Sequence, residues 1–414
     1  MRRTGDSGRG RAAATALLIA AVSAGLAPAA EAAKSKPREL PVVPNNGAGS
    51  ADIIDTKTCK RLKRLNVVPD KAERVAQIQK DETATFYYNN IRNLVGEGND
   101  QYVDDGFTSP DGRTVYFSRP SFADVVAIDM GSGKIKWRTA VDGYRADHMA
   151  LSKSGKRLLV SASTANVIDS IDTRTGKITA KIPSGDSPHE NNFSRNEKLI
   201  YHASIGTVYT DTDDPSEDST KGKRYFQVID ARTNKVLRQI NMTEKLAQAG
   251  YPNMSSAVRP MAITPDERYV YFQVSFYFGI VQYDLKTDKV VTLLNLPLGA
   301  AKGMPRTKFT LDSAHHGLAM NPQGTKLCVA GTMSNYSAIV TRKPFKLVRT
   351  ANVGRTPYWS QSSKDGKYCY VSVAGDDRVA VISFATGKEV RRIKVGDHPQ
   401  RMRLGVIRND LIKR

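Results

Sequence analysis

Apolar and polar residues alternate along this chain in short bursts that recur at a regular interval. Arg113-Thr114-Val115-Tyr116-Phe117-Ser118 is one burst, Lys156-Arg157-Leu158-Leu159-Val160-Ser161 a second, and Lys198-Leu199-Ile200-Tyr201 a third. Short runs of β-branched and aromatic residues bounded by turn formers predict strands rather than helices. Each burst follows a turn tetrad. The best preserved is Ser109-Pro110-Asp111-Gly112, and the others begin at Ser152, Ser194, Thr264, Asn321 and Ser363. Pro and Asp suit the early positions of a tight turn, and Gly takes the φ > 0 position without steric cost. About twelve residues past each strand comes a second pattern of strand, turn and strand, as in Val126-Ala127-Ile128-Asp129 before Gly131-Ser132-Gly133-Lys134.

The interval identifies the unit. Gly112 to Gly155 is 43 residues, Gly155 to Glu197 is 42, and Gly324 to Gly366 is 42. Four strands in roughly 40–45 residues is a propeller blade. The longer intervals, Glu197 to Glu267 and Glu267 to Gly324, read as blades with insertions. At the start, Ala51 to Leu62 carries the second pattern with no first hairpin before it. At the end, Gly396 to Leu404 opens a unit that the chain does not complete. Two half-units at opposite termini predict one shared blade, which closes the ring and removes its exposed edges. The expected fold is all-β, a seven-bladed β-propeller of four-stranded blades over 51–409. Residues 69–101 break the repeat, and the apolar spacing of Ala72, Val75, Ala76 and Ile78 predicts a helix and loop there.

The N-terminal stretch changes the compartment. Arg2, Arg3, Arg9 and Arg11 precede an uncharged apolar run and small residues, so 1–32 reads as a secretory signal. Residues 33–50, rich in Pro, Gly and Asn, read as a linker. The formal charge is +21, and removal of 1–32 takes away four Arg and two acidic residues, leaving +19. A basic exported chain is attracted to anionic cell-wall polymer or lipid headgroups. No aromatic–basic interleaving points to nucleic acid, no further segment is long enough to span a membrane, and a monomer is expected. Cys328 and Cys369 fall one position out of phase on equivalent strands, so on opposite faces, which argues against a disulfide; free buried thiols are expected.

Laying the repeats over one another gives the candidate site. The fifth and fourth positions before each turn are Asp104 and Asp105, Asp147 and His148, His189 and Glu190, Arg259 and Pro260, His316 and Gly317, Tyr358 and Trp359, with Gln400 and Arg401 in the C-terminal half-unit. His315 is adjacent and His398 is near. The first strand of a blade lines the central channel, so these positions converge at one mouth. The expected ligand-binding set is Asp105, Asp147, His148, His189, Glu190, Arg259, His316, Tyr358, Trp359 and Arg401. His148, His189, His315 and His316 are the candidate ligands of a divalent metal. The insertions 206–222, 241–258 and 295–314 are expected on that same face, as walls or a lid. The first holds Asp211, Asp213, Asp214, Glu217 and Asp218, which without EF-hand spacing reads as a solvated loop rather than a Ca²⁺ site.

The blade motif S-P-D-G-[KR]-x-[apolar]-Y-[apolar]-S followed by V-I-D-x-x-T-G-K resembles the YVTN-type seven-bladed propeller repeat proteins of bacteria and archaea. The match is strongest at 105–140, 147–182 and 354–396 and extends over about 51–405. The resemblance implies the propeller fold. For function it spans exported or surface binding proteins and relatives of lactonases and of amine dehydrogenase heavy chains. The first reading is therefore a secreted binding module that takes a small molecule or wall polymer at the channel mouth. The alternative is a metal-dependent lyase or lactonase-like enzyme at the His-rich site.

Overall fold

The computed structural model describes residues 37–96, 98–208 and 220–412. Its strands form seven four-stranded sheets, each antiparallel and, in six of them, in simple chain order from hub to rim. The innermost strands are Gly106–Thr108, Ala146–Leu151, Pro188–Phe193, Val258–Ile263, Gly317–Met320 and Pro357–Ser362, and Arg403–Arg408 in the seventh blade. In that closing blade Arg403–Arg408 pairs with Pro37–Asn45, from Pro37 opposite Arg408 to Val42 opposite Arg403. Ser50–Asp55 and Lys60–Asn66 complete the sheet. The two termini thus share one blade, as their half-units predict.

The linker expectation for 33–50 is corrected over its described part. Pro37–Asn45 is a strand hydrogen-bonded on both sides. Three prolines give it the composition of a loop, but Leu40, Val42 and Val43 are buried. Burial of apolar side chains between blades outweighs the missing proline N–H groups. The signal-like segment 1–32 and the acidic cluster Asp211–Asp218 lie outside the described residues.

The core lies between blades. One cluster joins Tyr116, Val125 and Ala127 of the first blade to Leu158, Val160 and Ile171 of the second. This face-to-face packing overturns the cysteine expectation. Cys328 and Cys369 form a disulfide between the fifth and sixth blades, with Cα atoms 6.4 Å apart. The front of one blade meets the back of the next, so positions on opposite faces of their own sheets are the ones that touch. Cys59 is the free thiol, and it is exposed.

The degenerate turn positions Glu197 and Glu267 keep the left-handed backbone that Gly has elsewhere, with φ of 56° and 55°. Each carboxylate accepts from a backbone N–H of the preceding blade's turn, Lys153 and Arg195 respectively. An inter-blade hydrogen bond compensates the backbone strain, so these departures from the repeat are structural. Gly317 answers a different need. A Cβ there would lie 2.9 Å from the Ser360 nitrogen and from the Trp359 Cα. Gly317→Ala is expected to destabilise by about 1–3 kcal/mol through overpacking at the hub, read from the denaturant midpoint.

Residues 69–101 form two helices, Lys71–Ile78 and Glu82–Asn90, and a π-turn, Ile91–Val95. Buried Arg119 ties them to the first blade, pairing with Asp124 at 2.6 Å and with Asp70 at 2.6 Å. No helix among the described residues is long and apolar enough to cross a membrane.

Candidate functional site

The site is built by a repeated defect. In four blades the pairing of the first two strands slips at the same place, between Ala146 and Met149, Pro188 and Glu190, Val258 and Met261, and Pro357 and Trp359. A bulge breaks the strict alternation of a strand and re-aims side chains. It falls on Asp147–His148, His189, Arg259–Pro260 and Tyr358, so it turns the predicted positions toward the hub. Each of the ten predicted ligand-binding residues is buried, at 4% exposure or less.

Three histidines meet. The ring centroids of His148 and His189 are 3.8 Å apart, those of His189 and His316 are 5.4 Å apart, and those of His148 and His316 are 6.2 Å apart. One ring nitrogen from each lies within 4.8 Å of the others. His148 Nδ1 lies 2.7 Å from Glu190 Oε2, and with Glu190 ionised the ring proton sits on Nδ1 and leaves Nε2 as the free lone pair. That Nε2, His189 Nδ1 and His316 Nδ1 are all buried and without a hydrogen-bond partner. Tyr358 lies over His316 at 4.4 Å, and Trp359 stands edge-on to His148 at 5.9 Å.

His315 does not join them. It packs outward against Phe278, with Nε2 facing Ser334 Oγ at 3.2 Å and Tyr336 Oη at 3.3 Å. It sits before the strand Gly317–Met320, and adjacent side chains point opposite ways. The expectation that it ligates with His316 is corrected on that ground. His202 escaped the repeat alignment because it lies on a second strand. Its Nδ1–H faces the Glu190 carbonyl at 3.0 Å and Asn191 Oδ1 at 2.9 Å, and Ser184 Oγ is 2.7 Å from Nε2. It supports the strand that carries His189 and Glu190.

Around the rings stand four arginines, three of them paired with carboxylates. Arg401 pairs with Asp104, Arg145 with Asp147 at 2.7 Å, and Arg403 with Asp105 through two bonds of 2.9 and 2.7 Å. Arg259 donates to Ser275 Oγ at 2.8 Å and to the Leu311 carbonyl. Arg403 and Arg401 both lie over the Trp359 ring, at 4.8 and 5.3 Å. Arg403 and Arg145 are the residues that sequence reasoning missed. Each lies two positions from a predicted one, Arg403 from Arg401 and Arg145 from Asp147.

Burial sets the protonation states. It holds all three hub histidines well below their ordinary value, with Arg401 adding to the effect on each. They are neutral imidazoles, the form that ligates metals. Burial pushes Glu190 and Asp104 up to about 7, against the nearby arginines. Burial also opposes ionisation of Asp105, but Arg403 wins and its carboxyl stays below the usual range.

The two mouths of the hub differ. On the insertion side Val95, Ile205, Val208 and Leu311 close over the ring and leave a cavity of ≈ 20 Å³, which His189 and His316 line. A water needs roughly 10–15 Å³, so this space takes one water or one ion and no organic molecule. The expectation of an open ligand-binding mouth there is corrected. The insertions meet over the ring because their apolar side chains bury one another, as Ile205, Val208 and Ala257 do. On the turn side a channel of ≈ 290 Å³ runs from the rim residues Arg195 and Glu267 to a floor of Glu190, Trp359 and Arg403.

No protein-family model and no curated protein matches this chain. Among solved structures, a chain of hydrazine synthase from Kuenenia stuttgartiensis superposes with a TM-score of 0.59 at 18% identity, covering 83% of this chain and 92% of that one. At that identity the likeness shows the fold alone. The chain is a seven-bladed β-propeller.

Chemically, the hub offers three neutral imidazoles, one of them oriented by a carboxylate. This is the arrangement by which proteins fix a ligating histidine. A second grouping, Asp104, Asp147 and His148, also brings one ligand atom each within 4.8 Å.

Proposed function

We propose that this chain is a binding propeller whose hub holds a divalent first-row transition metal on His148, His189 and His316, with a turn-side channel beside the hub that admits a small ligand. One observation carries the reading: one ring nitrogen from each of three buried histidines lies within 4.8 Å of the others, each ring has a buried nitrogen with no partner, and two of the rings line an ion-sized cavity. A buried polar group left unsatisfied costs about 1–3 kcal/mol. Three such rings packed side by side argue for a guest that satisfies them together. Imidazole donors with carboxylates nearby suit Zn, Cu, Fe or Ni better than Ca or Mg. The YVTN-type blade motifs and the signal-like N-terminus support an exported role, and the basic surface suits an anionic cell wall.

Metal-stripped protein incubated with Zn²⁺ or Co²⁺ is expected to retain about one ion per chain after dialysis, with a Co²⁺ spectrum of nitrogen ligation. His189→Ala and His316→Ala are expected to weaken binding at least about 100-fold, and Glu190→Gln about 10–100-fold through lost orientation of His148. Wild-type protein that retains no metal, or histidine variants that bind as tightly as wild type, defeats the reading.

A second reading, a metal-dependent lyase or lactonase, is favoured by Glu190. A carboxyl raised to about 7 on the channel floor has the pKa of a general acid or base at neutral pH. Turnover of a lactone or uronide that disappears in Glu190→Gln while metal is retained supports it, and absence of turnover in the metal-loaded protein counts against it.

A further inference from the structure

The ion-sized cavity is lined by more than histidine. Asp104 and Asp147 face it alongside His189 and His316. Each carboxylate spends one oxygen on an arginine, Asp104 Oδ1 accepting from Arg401 and Asp147 Oδ2 from Arg145. The other oxygen of each, Asp104 Oδ2 and Asp147 Oδ1, is buried and has no hydrogen-bond partner among the described residues. Asp147 Oδ1 lies 3.7 Å from His148 Nε2, which is buried and unpartnered in the same way. One ligand atom each from Asp104, Asp147 and His148 falls within 4.8 Å of the others, so His148 belongs both to this group and to the three-histidine group. Ionised carboxylate oxygens accept hydrogen bonds only, and two of them at this range repel. A cation between them removes the repulsion and satisfies the oxygens and the imidazole together.

We propose that Asp104 and Asp147 ligate the hub ion together with His148, His189 and His316, which makes the centre a mixed nitrogen–oxygen site able to hold Mn²⁺ and Fe²⁺. The inference rests on the metal reading of the hub and deepens it by adding two ligands and the class of ion. Imidazole alone suits Zn and Cu, whereas carboxylate oxygen brings in the harder Mn²⁺. Arg401 and Arg145 then act as outer partners that fix the direction of each ligating carboxylate. The five residues stand on or beside the innermost strands of the first, second, third and fifth blades. One ion therefore ties four blades together at the axis.

The test compares ions of different hardness on the full chain, metal-stripped. Mn²⁺ binding, read from loss of the free-ion electron paramagnetic resonance signal, is expected to saturate. Asp104→Asn and Asp147→Asn keep a carbonyl oxygen for the arginine. Each is expected to weaken Mn²⁺ at least about tenfold and Zn²⁺ by a smaller factor, since the imidazoles remain. Loaded with Co²⁺, the wild type is expected to show the weak visible bands of a five- or six-coordinate ion. The double variant Asp104→Asn/Asp147→Asn is expected to show the intense bands of a four-coordinate one. Intense four-coordinate bands in the wild type overturn the proposal, as does Mn²⁺ binding unchanged in either single variant, or a wild type that holds Zn²⁺ but takes up no Mn²⁺. In each of those cases retained Co²⁺ or Zn²⁺ leaves the three-histidine reading standing. A wild type that takes up none of the three ions defeats both readings, and the two carboxylates then share a proton. Folding of the variants is checked by circular dichroism, and if they do not fold, the wild-type Co²⁺ spectrum decides alone.

Discussion

Lowering the pH from 7 to 5 is expected to cost this protein about 2 kcal/mol of stability through one side chain, His202. Burial lowers its pKa from 6.5 to about 3, against the hydrogen bond to the Glu190 carbonyl, which favours the charged ring. Nδ1–H faces two acceptors, and Nε2 faces the Ser184 hydroxyl. A proton on Nε2 would bury a charge, even with the Ser184 hydroxyl turned to accept from it. Above pH 6.5 the ring is neutral in both folded and unfolded chains, so it adds no pH dependence. Below 6.5 the unfolded chain takes up a proton that the folded chain refuses until about pH 3. Stability therefore falls as pH falls across that window, at about 1.4 kcal/mol per unit. Glu190 and Asp104 act in the opposite sense. Their raised values mean the folded chain holds protons between about 4 and 7 that the unfolded chain releases, so acid favours folding there. The His202 effect is isolated by comparing wild type with His202→Gln at each pH, which cancels the hub. The stability difference between the two is expected to shrink by about 2 kcal/mol from pH 7 to 5. A difference independent of pH would show that His202 titrates normally.

Loss of the Cys328–Cys369 bridge is expected to cost about 4 kcal/mol. The bridge closes a loop with a sequence separation of 41, and the chain-entropy relation for that length gives this figure. The effect acts on the unfolded chain, which without the bridge gains freedom in the fifth and sixth blades. Those blades supply His316, Tyr358 and Trp359, so the paired Cys→Ala variant is also expected to loosen the hub. The measurement is denaturant unfolding of wild type against Cys328→Ala/Cys369→Ala, with Cys59→Ala as a control that changes nothing. Alkylation that labels all three cysteines without reductant would refute the bridge itself.

The fold was legible because its signals are local and repeated. A turn tetrad and the strand after it sit within about ten residues, and six copies let weak ones such as Ser194-Arg195-Asn196-Glu197 be read from strong ones. The site was legible for the same reason. Aligned repeats place Asp147, His148, His189, Glu190 and His316 at equivalent points of a ring. Pro37–Asn45 was misread because its partner, Arg403–Arg408, lies at the other end of the chain. Arg403 was missed because its role depends on Asp105, which is 298 positions away.

The amino-acid order by itself determined the number of blades, their closure by both termini, and the convergence of histidines on the axis, since each follows from periodicity. Only the tertiary structure decided that His315 turns away, that the insertions shut one mouth, and that the cysteines bond across blades. Those outcomes depend on which face of one blade packs against the next, and side chains far apart in sequence settle that by filling shared space.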